Sequence, residues 1–169
     1  MVCVSCLTCM NVCQNTDMSQ GGVGIDLETS LGYLLKEASS ALRQAMEAVL
    51  RPLEMTVTHY SCLELLAQRP GLSNSELARG AFVTRQSMNV LLQSLERGGD
   101  VSRSAEPPVG KVRPTRLTPQ GRRSLAKATA AVRSVEVRML GGMTPADQSA
   151  AFTILQSMIH SLRNENESA

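Results

Sequence analysis

Arg85, Gln86, Asn89 and Gln93 carry the donors and acceptors that match purine edges in a DNA major groove. An arginine fork suits guanine O6 and N7, and a carboxamide suits adenine N6 and N7. All four fall in a segment where Met88, Leu91, Leu92 and Leu95 recur at the spacing of one buried helical stripe, so the polar set faces outward. Thr84 supplies an N-cap for this helix and Gly98-Gly99 ends it. A shorter helix precedes it. It opens at Ser73-Asn74-Ser75-Glu76, where the Ser73 hydroxyl and the Glu76 carboxylate can cap reciprocally, and it stops near Gly80. Arg85 and Gln86 are expected to read base edges with Asn89 assisting. Ser73, Ser75, Thr84, Ser87, Arg103, Lys111 and Arg113 are expected to hold phosphates or enter the minor groove.

These two helices need a frame. After Gly99 the pattern changes to short extended pieces, 101–104 and 111–117, separated by Glu106-Pro107-Pro108-Val109-Gly110, which predicts a hairpin or wing. Upstream, Leu31, Leu34, Leu35, Ala38, Ala41, Leu42, Ala45, Met46 and Val49 follow helical periodicity, predicting a long helix that ends near Pro52. Leu63, Leu65, Leu66 and Ala67 place another helix over 58–69, packed beneath the two DNA-reading helices. Downstream, Thr118-Pro119 starts a helix in which Leu125, Ala128, Val132, Val135 and Met139 step alternately by three and four, the pattern of a coiled-coil seam. Thr144-Pro145-Ala146-Asp147 caps a last helix lined on one side by Phe152, Leu155, Ile159 and Leu162. The first and the last two helices hold more apolar surface than a small reading unit can cover, so a symmetric homodimer is expected.

Charge supports the same partner. The formal net charge is only +2, yet residues 73–123 hold nine Lys/Arg against four acids, leaving −3 for the remainder. Local positive potential is what a phosphate backbone selects. With 2 % aromatic residues and no Trp, a stacking platform for single strands or RNA is not expected, and double-stranded DNA is. No apolar run is long enough to span a membrane, and the first cation is Lys36, so a secretory signal is not expected and a cytoplasmic location is. Catalysis is not expected either. The two histidines, His59 and His160, stand far apart, and no HExxH, G-x-S-x-G or Walker A run is present.

Cys3, Cys6, Cys9 and Cys13 are spaced C-x2-C-x2-C-x3-C, the bacterial ferredoxin run for a [4Fe-4S] cluster, with Gln14 where proline usually follows. Such a run supplies only three close ligands to one cluster, the segment offers little to bury it, and Met10 and Met18 are alternative starts. No cofactor is therefore expected, and a redox or metal-sensing input through this cluster stays as the alternative. Cys62 stands alone within a helix and reads as a buried small hydrophobe.

Three stretches together resemble the MarR family of bacterial transcriptional regulators: Val83-Thr84-Arg85-Gln86-Ser87-Met88, Leu95-Glu96-Arg97-Gly98-Gly99 and Arg116-Leu117-Thr118-Pro119-Gln120-Gly121. The likeness extends over roughly residues 31–162. It implies a mainly α fold with a small β-wing, a winged helix-turn-helix flanked by N- and C-terminal dimerisation helices. On that template residues 1–28 form a flexible Cys-containing tail and 29–165 a MarR-type domain. Within it the winged helix-turn-helix covers about 56–118 and the dimerisation helices about 29–51 and 119–163. The resemblance implies recognition helices in successive major grooves of a palindromic operator, with the wings in the flanking minor grooves. It also implies control by a small ligand or oxidant, commonly through a crevice between the dimerisation helices and the DNA-binding lobe, and a repressor released by a small-molecule effector is expected. One departure is Lys111, which stands where the family's wing arginine usually lies, without an acidic neighbour to brace it. A lysine there is a flexible point charge, so minor-groove contact is expected to be weaker, with Arg113 sharing it.

Overall fold

The computed structural model describes residues 24, 26–103 and 114–164. Among these, six α-helices and one strand pair follow in the order α1 (Leu31–Leu50), α2 (Val57–Gln68), α3 (Asn74–Gly80), α4 (Arg85–Arg97), β1 (Val101–Arg103), β2 (Thr115–Leu117), α5 (Pro119–Met139) and α6 (Pro145–Asn164). A single 3-10 turn, Arg51–Leu53, follows α1. The fold is mainly α with a small β-wing, as the sequence predicts. The tail with its cysteine cluster, and the wing residues Lys111 and Arg113, lie outside the described residues.

Each helix begins at a serine or threonine whose oxygen accepts an otherwise orphaned backbone N–H. Ser30 takes Tyr33, Thr56 takes His59, Ser73 takes Glu76, Thr84 takes Ser87, Thr118 takes Gly121 and Thr144 takes Asp147. Such a cap stabilises by about 1 kcal/mol relative to alanine. The Thr56 cap also explains why α2 starts at Val57, one residue before the position expected from periodicity.

One hydrophobic core joins Leu50 of α1, Cys62, Leu63 and Leu66 of α2, Leu77 of α3, and Met88, Leu92 and Leu95 of α4. It continues through Val101, Leu117, Leu125 and Ala128, so the strands and the start of α5 belong to the same cluster. β1 and β2 pair antiparallel, with Val101 opposite Leu117, Ser102 opposite Arg116 and Arg103 opposite Thr115. The expected coiled-coil seam of α5 is corrected by this packing. Leu125, Ala128 and Val135 are buried within the chain, where α5 packs on α1 and α2, and only Met139 at its end is exposed. The three-four step recurs because a helix lying on two neighbours also needs one continuous stripe.

A polar joint fixes α4 relative to α5. Thr118 Oγ1 donates to Gly99 O at 2.6 Å, Thr118 N donates to Asp100 O at 3.1 Å, and Gln120 Nε2 donates to Gly98 O at 2.6 Å. Ser124 Oγ donates to Asp100 Oδ1 at 3.0 Å, and His59 Nε2 of α2 lies 3.6 Å from Asp100 Oδ2. The backbones approach so closely that a Cβ on Gly121 would lie 2.0 Å from Asp100 O. The Gly98-Gly99 and Thr118-Pro119-Gln120-Gly121 pieces of the sequence are the two halves of this joint.

The outer helices differ. α6 buries none of its residues, and Phe152, Ile154, Leu155, Ile159 and Leu162 are all exposed. At the other end of the chain, Leu31, Tyr33, Leu34 and Leu35 of α1 are exposed too.

Candidate nucleic-acid interface

The reading unit is built by α3, a tight turn and α4. At the start of α3, Ser73 N and Ser73 Oγ both donate to Glu76 Oε2, at 2.8 and 2.6 Å, completing the capping box. These bonds hold the Glu76 carboxyl below its ordinary range. A hydroxyl has one proton to give, so Ser73 has none left for a phosphate while the box stands. Asn74 Nδ2 donates to Arg85 O at 3.1 Å, tying the first turn of α3 to the first turn of α4. Periodicity does not reveal that tie, because it joins residues from different helices.

Between the helices, Val83 N donates to Ala78 O at 3.0 Å and Phe82 holds φ +55°. A bulky side chain in that left-handed region is strained, and Phe82, 87 % exposed, has little burial to offset it. Thr84 then caps α4, and its hydroxyl lies 2.8 Å from that of Ser87. Of the two hydroxyl protons in that pair, their mutual bond uses one and leaves the other for an acceptor outside.

On α4, Met88, Leu92 and Leu95 are buried and Leu91 partly so, while Arg85, Gln86, Asn89 and Gln93 are exposed. The expected division into a buried stripe and a polar outward face is therefore present. Ser75 is half-buried. Arg103 is engaged within the chain: its Nε donates to Glu96 Oε2 at 2.8 Å, a terminal nitrogen donates to the same oxygen, and its side chain is 17 % exposed. Arg103 thus braces β1 against the last turn of α4.

Behind the reading unit, a cavity of about 510 Å³ runs between α2 and α5 under Leu117 of β2, with Glu64, Thr129, Arg122 and Arg133 on its walls. Thr129 Oγ1 donates to Glu64 Oε2 across it at 3.3 Å. Cys62 lies in the core, and burial pushes its thiol up to about 12, so it packs as an apolar group. Among the described residues no group of three His, Cys, Asp or Glu could hold a metal ion, and no helix is long and apolar enough to cross a membrane.

Two helices joined by a strained turn, the second polar outward, followed by an antiparallel pair that returns to the core, define a winged helix-turn-helix protein of the DNA-binding class. The profile of the MarR family matches residues 53–111. HTH-type transcriptional repressor Rv2887 of Mycobacterium tuberculosis (strain ATCC 25618 / H37Rv) is 39 % identical over 136 residues, covering 80 % of this chain and 98 % of that protein. The chain belongs to the MarR family of bacterial transcriptional regulators. The solved structure of M. tuberculosis Rv2887 with DNA is 39 % identical, covers 76 % of this chain and 97 % of that one, and superposes with a TM-score of 0.64. The same protein with salicylic acid gives 40 %, 76 %, 96 % and 0.64.

Proposed function

We propose that this chain is a sequence-specific repressor that binds a palindromic double-stranded operator as a symmetric homodimer and leaves it when a small anionic effector binds. The observation that carries the reading is the outward face of α4, whose purine-matching side chains are exposed on the side away from a stripe locked in the core. The relative solved with DNA supports the partner, and the relative's name supports the sign of regulation. Arg85 and Gln86 read base edges and Asn89 assists. Thr84, Ser87 and Ser75 serve the phosphates, while Ser73 and Arg103 act by holding α3 and β1 in place. Lys111 and Arg113 are assigned to the flanking minor groove from sequence, since they lie outside the described residues. Residues 29–165 form the functional unit, with the winged helix-turn-helix at about 56–118 and dimerisation helices at about 29–51 and 119–163. The effector reading is supported by the cavity between α2 and α5, which offers Arg122 and Arg133 to an anion, and by the relative solved with salicylic acid.

The test is a footprint on duplexes selected from genomic fragments, repeated with salicylate. A protected palindrome, released by the ligand, is expected. Arg85→Ala should cost about 1–3 kcal/mol and relax preference at one base position in each half-site. Absence of any protected site, or unchanged affinity and specificity in Arg85→Ala at fixed salt, would overturn the reading.

A further inference from the structure

The outward face of α4 is not wholly polar. Val90 lies on it and is 62 % exposed, although β-branched apolar residues are among those most often buried. At about 100° per residue, Gln86, Val90, Gln93 and Arg97 all lie within about 30° of the axis opposite the buried stripe, while Asn89 and Arg85 flank it. Val90 therefore stands nearer the centre of the reading face than either flanking residue. It is one turn beyond Gln86 and one turn short of Ser94. Its neighbours across that face are the amides of Gln86 and Gln93, which supply hydrogen bonds but no apolar surface.

A major groove presents donors and acceptors from every base pair and one apolar group, the 5-methyl of thymine. We infer that Val90 is a specificity-determining residue that packs its methyls against a thymine 5-methyl in each operator half-site, between bases read by the flanking amides. The inference rests on the reading of α4 as the helix that docks in the groove, and it adds a base to what that helix selects. Displacing water from both partners makes the contact favourable, whereas a cytosine or purine edge at that position would leave a polar group facing a side chain that cannot bond to it.

The probe is a duplex recovered by selection with the full-length protein, resynthesised with uracil replacing thymine at one symmetric pair of positions at a time. Uracil keeps every hydrogen-bonding group and lacks only the methyl. Removing one methyl contact is worth about fourfold per half-site, so one position should weaken binding by about fifteenfold for the symmetric duplex. Val90→Ser removes both side-chain methyls at nearly unchanged helix propensity. It should bind the thymine duplex more weakly and lose the distinction between thymine and uracil at that position alone, while Gln86→Ala keeps it. Circular dichroism and a melting curve check that Val90→Ser is folded. If the native protein binds thymine and uracil duplexes equally at every position, or Val90→Ser keeps the full distinction, the assignment to Val90 falls while DNA binding stands. If selection retains no duplex at all, the DNA reading itself falls, and this inference with it.

Discussion

The α3–α4 unit, on one side, and α6 with the start of α1, on the other, treat their apolar residues in opposite ways. In the reading unit, Leu77, Met88, Leu92 and Leu95 are buried, and the exposed side is polar apart from Val90 on α4 and Phe82 in the turn. In α6 no residue is buried, and the exposed start of α1 adds a further apolar patch. One region is thus finished by its own chain and the other is not. In the proposed dimer, DNA docking needs the first to be rigid in each subunit, and the distance between two half-sites is set by a second copy covering the other.

The sharpest way to break this contrast is to charge the unfinished face. Leu155→Glu on α6 should dissociate the dimer, seen as a halved mass in sedimentation. Operator affinity should fall by about 10²–10⁴, because the second half-site loses its tethered partner. The residual binding should still respond to Arg85→Ala, since the reading unit does not depend on α6. A variant that stays dimeric, or one that loses the fold of α3–α4 as well, would erase the distinction between the two regions.

Next in size is the joint that couples them. Gly121→Ala sets a methyl where Asp100 O already lies, 2.0 Å away, and the neighbour is backbone that cannot swing aside. Destabilisation of about 2–4 kcal/mol is expected, read as a lower midpoint in urea. Operator affinity should suffer even where the chain remains folded, because the angle between α4 and α5 is set there. Equal stability and equal affinity in Gly121→Ala would mean that the two regions are not coupled through this contact.

A smaller effect sharpens the view of the reading unit as complete. Phe82 carries φ +55° in the turn before α4 with its ring exposed. Phe82→Gly relieves the steric conflict and loses little burial, at the cost of a more flexible unfolded chain, so a net gain of about 0.5–1 kcal/mol is expected in a thermal melt. A loss of stability would show that the ring packs against something the chain or its partner provides.

How much of this was legible beforehand follows from the range of each interaction. The caps at Ser73, Thr84, Thr118 and Thr144 act over three residues, so those helix starts could be read directly, and so could the α4 stripe, whereas the caps at Ser30 and Thr56 are not marked by the apolar spacing that placed α1 and α2. The α5 seam looked like a coiled coil because spacing alone does not say whether the neighbour is another copy or the same chain. The Arg103–Glu96 pair joins a strand to a helix across seven residues, so no helical or strand spacing marks it. The need for glycine at position 121 depends on a carbonyl 21 residues away, which no local pattern contains. Val90 escaped notice because an apolar residue on a helix is normally assigned to the core, and only its exposure puts it on the reading face.

The smallest expected effect concerns His59, which sits where α2 meets the joint. Burial lowers its pKa below the ordinary 6.5, and the attraction of Asp100, 3.6 Å away, raises it without restoring it. The folded protein therefore holds a neutral imidazole at a pH where the unfolded chain already takes up a proton. Unfolding then binds protons, so the stability that His59 contributes is present above pH 6.5 and is lost as pH falls below it toward the lower folded value. Urea midpoints should decline between about pH 7.5 and about pH 5.5, and His59→Gln should flatten that decline. Glu76 and Asp147, whose pKa values are lowered from 4.5 and 3.8 by their capping hydroxyls and backbone N–H groups, lose their contributions only at lower pH and cannot mimic the effect. An unchanged slope in His59→Gln would place the proton uptake elsewhere. Asp100 would then be held in the joint by the hydrogen bonds from Thr118 N and Ser124 Oγ, with His59 at 3.6 Å adding no measurable electrostatic link from α2.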